Sequence, residues 1–142
     1  MKKLEVLRQV NRNDREFKML YYLNNIMKDR KLVYTAMSKH LAYFKDHIMK
    51  FVLEQDCVPL NPFSFGYFLL DTVSRDLIRE ANNNLIKRAD EVWVFGKVSD
   101  GVLAEIKLAK QMKKPIKFFK VIGSKEIKEI SEKEIEFEDD VK

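Results

Sequence analysis

The chain has one cysteine, Cys57, among its 142 residues. A single thiol excludes an internal disulfide and any multi-cysteine zinc site, and a reducing compartment is its plain setting. Histidine is nearly as scarce. His40 and His47 stand seven positions apart, about 10 Å along a helix, too far to share a metal. No third ligand accompanies them, so neither a metal site nor a cofactor is expected. No apolar run reaches the ~18 residues of a membrane span. The opening Met1-Lys2-Lys3-Leu4-Glu5 mixes charges too early for a secretory leader. The expectation is a cytoplasmic protein that stays off the membrane. Low-complexity segments and internal repeats are absent.

What is there is a core-forming composition. Hydrophobic residues make up 46% and charged residues 35%. That balance is too apolar for a disordered chain. The length suits one domain that buries a core without staples. The formal charge of +5 is unevenly spread. Residues 125–142 hold eight acids and four bases, and residues 1–124 hold 23 bases and 14 acids. A basic body suits an anionic ligand such as a phosphate. It lacks the dense basic stripe and reading motif of a nucleic-acid binder. The expected layout is a single domain over 1–142, with a helical extension at 1–30 and an acidic tail at 125–142.

Hydrophobic periodicity orders the chain. Phe17, Leu20 and Tyr21 predict a helix from about Asn13, its N-cap, to Lys28. Leu32 to Met37 reads as a buried strand, followed by an N-cap at Ser38 and a helix to about Gln55. Asp56 to Leu60 is a second strand and Asn61 to Gly66 a loop. A long helix is predicted from about Phe68 to Arg88. Glu91 to Gly96 is a strand apolar through its middle, as in a parallel sheet covered on both faces. A helix from Asp100 to about Lys113 and a strand from Pro115 to Val121 follow. The tail is assigned a short helix and a strand at Ile135-Glu136-Phe137. This alternation predicts a three-layer α/β fold, flavodoxin-like or Rossmann-like, with a four- to five-stranded parallel sheet. Ligands of such sheets sit beyond the carboxyl ends of the strands. That places candidate contacts at Met37 to His40, Asn61 to Gly66 and Gly96 to Gly101.

The stretch Ser99-Asp100-Gly101-Val102-Leu103-Ala104-Glu105 carries the most chemistry. Ser99 or Asp100 can cap the helix, Gly101 permits close approach, and free amides favour an anion. Glu105 shares a stripe with Gly101, Leu108 and Met112. It is a nucleophile or base in one reading and a complement to the helix dipole in the other. Tyr34, mid-strand, either packs with one hydrogen bond or holds a carboxylate near the strand end. Ser38 and Lys39 could receive a phosphate, but their loop has no glycine and so lacks a phosphate-loop cradle. Asn82-Asn83-Asn84 interrupts a helix with mediocre helix formers, and one of them could read a polar ligand.

Val33-Tyr34-Thr35-Ala36-Met37-Ser38, Asn61-Pro62, and Lys87 to Phe95 followed by Asp100 to Glu105 together resemble the nucleoside 2-deoxyribosyltransferase-like superfamily. The likeness covers about residues 31–121. Ala89 to Phe119 most resembles its uncharacterised bacterial and phage-borne branches. The resemblance implies N-glycosidic chemistry on a nucleoside or nucleotide, with Glu105 attacking the anomeric carbon and Tyr34 supporting it. Met37, Ser38, Asn61, Asn82, Ser99, Asp100 and Gly101 would contact the ligand. The family's acid, eight residues before Asp90, is here Asn82, and an amide cannot give a proton as a carboxylic acid does. Met37-Ser38 replaces the family's Gly-Pro pair, and Lys107 replaces its glycine after the glutamate. The resemblance also implies a homo-oligomer. Two functional classes follow: an N-glycosidase or deoxyribosyltransferase, or a non-catalytic module that binds a nucleotide-like ligand or serves in assembly.

Overall fold

A computed structural model describes residues 12–26, 28–65, 69 and 71–141. The readings placed on the first ten residues, Gly66, Phe68 and Leu70 lie outside them. The chain divides into two compact units, Met1–Arg30 and Lys31–Lys142. In the first, α1 spans Arg12–Ile26. It already includes Arg12, so Asn13 is inside the helix and not its cap. Phe17, Leu20 and Tyr21 on it are exposed.

The second unit is a five-stranded sheet in the order β2-β1-β3-β4-β5. Its strands are β1 (Leu32–Met37), β2 (Val58–Leu60), β3 (Glu91–Phe95), β4 (Ile116–Ile122) and β5 (Glu126–Ile130). The first four run parallel, and β5 is antiparallel to β4. β1 pairs with both β2 and β3, in register Tyr34↔Leu60 and Tyr34↔Val92. A strand in that position has no solvent face. Accordingly Val33 to Met37 are all buried.

Side chains alternate between two cores. Tyr34, Ala36, Val92, Val94 and Phe118 face one side, with Ile86, Val102, Ile106 and Ala109 packed over them. The helices that supply these are α3 (Arg75–Arg88) and α4 (Asp100–Gln111). Val33, Met37, Trp93, Phe95 and Phe119 face the other side, beneath Phe44, Ile48 and Val52. Ile48 and Val52 belong to α2 (Lys45–Glu54). Phe95 stacks on Phe119 at 4.9 Å between ring centres, and Trp93 lies 5.2 Å from Phe119. The three-layer arrangement is the one the alternation predicts.

Three local expectations are corrected. Ser38 does act as an N-cap, accepting from the His40 amide, but the turn it starts is a 3₁₀ segment, Lys39–Phe44, before α2 begins. The long helix from Phe68 is interrupted at Val73 and Ser74. Ser74 adopts an extended backbone and accepts from the Leu77 amide, so it caps α3. A serine hydroxyl competes for backbone donors in this way. In the tail, the residues after Lys125 form strand β5, not a helix. Ile127 and Ile130 sit three apart, as on a helix, yet each packs against a different core. A sheet covered on both faces allows that spacing. The tail then makes a 3₁₀ turn at Glu132–Glu134, and Phe137 forms a single parallel bridge with Val98.

Gly96 ends β3 at φ 75°, and a Cβ there would lie 3.0 Å from Leu41 Cδ2. Gly123 has φ 59° with open space around it. Gly123→Ala should therefore lose only the left-handed backbone preference, about 1–2 kcal/mol. Gly96→Ala should lose more, up to about 3 kcal/mol, by adding a clash. Urea unfolding of the two variants checks the order; equal losses would show that the Leu41 contact yields freely.

Candidate functional site

β1 and α4 bring Tyr34 and Glu105 together. Tyr34 is wholly buried, since its strand is covered on both sides. Glu105 lies on the inward stripe of α4, one turn from the buried Val102 and Ala109 and next to Ile106. That helix starts where Ser99 Oγ accepts from the Val102 amide at 3.3 Å, and its first-turn acid is Asp100. Asp100 and Gly101 are exposed at this start. Glu105 is thus no dipole complement at a solvated helix end. It is half-buried, with Oε2 sealed from solvent.

The polar atoms here are conspicuously unpaired. Tyr34 Oη, Glu105 Oε2 and Asn82 Oδ1 are each buried without a hydrogen-bond partner of good geometry. Asn82 is one turn before Ile86 on α3, and Ile86 shares the core of Tyr34. Buried polar groups left so cost stability, and such groups concentrate where a ligand is to supply the partner. The hydroxyl and the carboxyl are near enough to shift each other's titration. Burial raises Glu105 to about 7, and the Tyr34 hydroxyl pulls it part of the way back down. Burial, then the Glu105 charge, drives the Tyr34 hydroxyl far above its ordinary range. Tyr34 therefore remains a neutral donor, and Glu105 is poised between its acid and its anion near neutrality.

The remaining candidates divide. Asn61 is buried and fully engaged. Its Nδ2 donates to Thr35 Oγ1 at 2.9 Å and to the Met37 sulfur at 3.2 Å, and its Oδ1 accepts from the Phe63 amide at 2.8 Å. Asn61 and Met37 are thereby tied to each other beside β1, on the α2 side of the sheet. Asn83 and Asn84 are exposed, and Asn84 is used within α3 by Glu80 and Arg88. Ser38 is buried at the end of β1, and its hydroxyl donates to a Glu138 carboxylate oxygen. The position at which a phosphate could meet Ser38 already holds a carboxylate from the chain itself.

Ser38 and Glu138 line a cavity of about 340 Å³ together with His40, Leu41, Tyr43, Gly96, Lys97, Val121, Gly123 and Ser124. It lies over the carboxyl ends of β1, β3 and β4, where the order of strands reverses about β1. Glu138 had no signal in the sequence, since a glutamate in an acidic run reads as a solvated residue. Among the described residues no cluster of three or more His, Cys, Asp or Glu could hold a metal, and no helix is long and apolar enough to cross a membrane.

Unfolded, Glu105 titrates near its ordinary 4.5, and folded near about 7. Between these values the native state binds more protons than the unfolded one, so stability falls as pH rises from 4.5 to 7. The loss is complete above about pH 7 and amounts to roughly 3 kcal/mol at most. Glu105→Gln should remove this slope. In urea unfolding at pH 5 and pH 8, the variant should gain on the wild-type protein toward pH 8. Parallel curves would show Glu105 to be solvated.

The fold has counterparts among known proteins. The family model described as Domain of unknown function (DUF7768) matches residues 24–119. No curated protein matches the sequence. Among solved structures, the 2-desoxiribosyltransferase from Leishmania mexicana is similar at 18% identity and TM-score 0.51, over 65% of this chain and 65% of that one. The 2-deoxyribosyltransferase from the psychrotolerant bacterium Bacillus psychrosaccharolyticus is similar at 16% identity and TM-score 0.52, over 65% of this chain and 74% of that one. The matched part is thus less than two thirds of the Leishmania enzyme's length. At these identities the likeness is one of fold. The family match takes in β1 to β3 and the first residues of β4, with Tyr34, Asn82 and Glu105, and by it the chain belongs to the family described as Domain of unknown function (DUF7768).

Proposed function

We propose that the protein cleaves or transfers the N-glycosidic bond of a nucleoside or nucleotide, through Glu105. The observation that carries this reading is the half-buried Glu105, its Oε2 sealed from solvent, close enough to the buried Tyr34 hydroxyl for each to shift the other's titration. The fold shared with two 2-deoxyribosyltransferases supports the substrate class.

In the first step, ionised Glu105 forms a C1′–O bond as the C1′–N bond breaks. The bonding pair leaves with the base, which takes a proton from water. Water then attacks C1′ and returns the carboxylate, or a second base does so in transfer. Tyr34 donates to the carboxylate and holds it in position. Asn82 orients the base by hydrogen bonding and moves no proton. Serine and glycine at the start of α4 leave room and amide donors for the ligand. Two or more copies of the chain would assemble around this chemistry, as the resemblance implies.

A second reading is favoured by one residue. Asn82 supplies no acid to the departing base, which suits a module that binds a nucleotide-like ligand without cleaving it.

The full chain, incubated with ribo- and deoxyribonucleosides and their monophosphates, should release base from at least one. Chromatography should show that Glu105→Gln lowers this release at least about a thousandfold. The rate should drop tenfold per pH unit below about 7, as the carboxylate is protonated, and level off above it. Silence across the panel from folded protein would favour the binding module.

A further inference from the structure

We infer that the substrate is an N-glycoside whose base already carries a positive charge, a pyridinium or a purine alkylated at N7, so that the base departs neutral without being given a proton. This rests on the reading above and gives its substrate class.

Among the described residues the site holds a nucleophile and no acid. Tyr34 Oη, Glu105 Oε2 and Asn82 Oδ1 are the buried, unpartnered polar atoms on the α3 and α4 side of the sheet. Glu105 must be ionised to attack, so it cannot be the acid in that step. Tyr34 is kept a neutral hydroxyl far above its ordinary range, by burial first and then by the Glu105 charge. That makes it a poorer acid than a free tyrosine. Asn82 has only an amide. The other carboxyls of the two helices are turned outward. Asp76, paired with Arg79, and Glu80 are exposed on α3, and Asp100 is exposed at the start of α4. A charge within ~4–6 Å of a carboxyl moves its titration. Glu105 is moved upward by burial and back by the Tyr34 hydroxyl, and by no second acid or base.

Charge balance then separates two kinds of substrate. A neutral nucleoside takes the negative charge of Glu105 and returns it on the departing base. With no acid to receive it, that anion forms in an apolar layer, where an unpaired charge is costly. With a cationic nucleoside the C1′–O bond to Glu105 forms as the C1′–N pair passes to the ring nitrogen and cancels its charge. A carboxylate and a cation become an ester and a neutral base, and no proton moves. Water or a second base afterwards frees the carboxylate, as above.

The residues present suit the cation in two further ways. A positive ring beside Glu105 favours the ionised form, which is the form that attacks. Asn82 stands one turn before the buried Ile86, and its unpartnered atom is the carbonyl oxygen. That oxygen is the negative end of the amide dipole. It meets a cationic ring favourably and an anionic leaving base unfavourably.

The test compares guanosine with 7-methylguanosine, which differs by one methyl group and its charge, and with nicotinamide riboside, all as ribo- and deoxyribo- forms. Base release is followed by chromatography and corrected for release in buffer. In wild-type protein kcat/KM should be at least about a hundredfold higher on one or both cations than on guanosine, and Glu105→Gln should lose both activities. Asn82→Asp puts a carboxyl where the amide stands. It should narrow the gap at least about tenfold, by a gain on guanosine, since a positioned general acid contributes ~10²–10⁴-fold. A gap that Asn82→Asp leaves intact would trace to the lability of the cation alone and would overturn the inference. Release from guanosine as fast as from either cation would overturn it too, and would leave the N-glycosidic reading standing. No release from any member by folded protein would overturn that reading, and this one with it.

Discussion

The pairing of β1 with parallel strands on both edges is the constraint from which the rest follows. A strand so placed is paired on both edges through Tyr34 and has no face toward water. Its side chains must all be buried, and the two-residue alternation assigns each to one of two cores. Register then does the rest. Tyr34 lies beside Val92, so it faces α3 and α4 and not α2. A tyrosine in that position needs a partner for its hydroxyl, because an unpaired hydroxyl in an apolar layer is costly. Among the described residues, the titratable group that acts on it is Glu105. A shift of the pairing by one residue would turn Tyr34 to the other face and separate the two.

The order of elements was legible because β1, β3 and β4 are dense in β-branched and aromatic residues, and the helices between them carry clear stripes. Tyr34 and Glu105 each stood out as a polar residue at an apolar position, but the pattern left a packing or dipole reading open for both, and only the family resemblance paired them. Their burial was not, since depth depends on what packs above. Other features escaped for specific reasons. Ile127 and Ile130 imitate a helical spacing, and only a sheet with two covered faces turns it into a strand. Asn61 beside Pro62 looks like a loop residue open to a ligand, yet its amide bonds Thr35 and Met37 across 26 and 24 positions of chain. Long-range pairing of that kind has no local signature. Ser74 within a good helical stripe was read as helix, although its hydroxyl offered a cap.

The energetic peculiarity of the molecule lies at Glu105. A carboxyl brought out of water raises its pKa because the charged form is disfavoured. A lone tyrosine hydroxyl offsets this in part, as the direction of its effect on Glu105 shows. A chain under selection for stability alone would place leucine or glutamine on this stripe, beside Ile106 and one turn from Ala109. Violations of local consistency of this kind are expected at functional sites and are offset elsewhere in the fold. Here the offset comes from the two cores, which fill both faces of the sheet with aliphatic and aromatic side chains.

The tail changes what the charge of the chain means. From composition alone, a basic body and an acidic end look like separate surfaces. In the fold they meet. Lys110 pairs with Glu132, and Lys120 lies 3.6 Å from Glu136. Both are exposed pairs of small energetic value, so they do not hold the tail by themselves. Backbone pairing at Val98 and the packing of Ile135 against the core do that. Glu138 has no basic neighbour among the described ion pairs, and its hydrogen bond goes to a buried serine at the end of β1. The acidic tail thus brings a carboxylate into a cavity that Lys97 and His40 also line, at the carboxyl edge of the sheet, where this fold class takes its ligands.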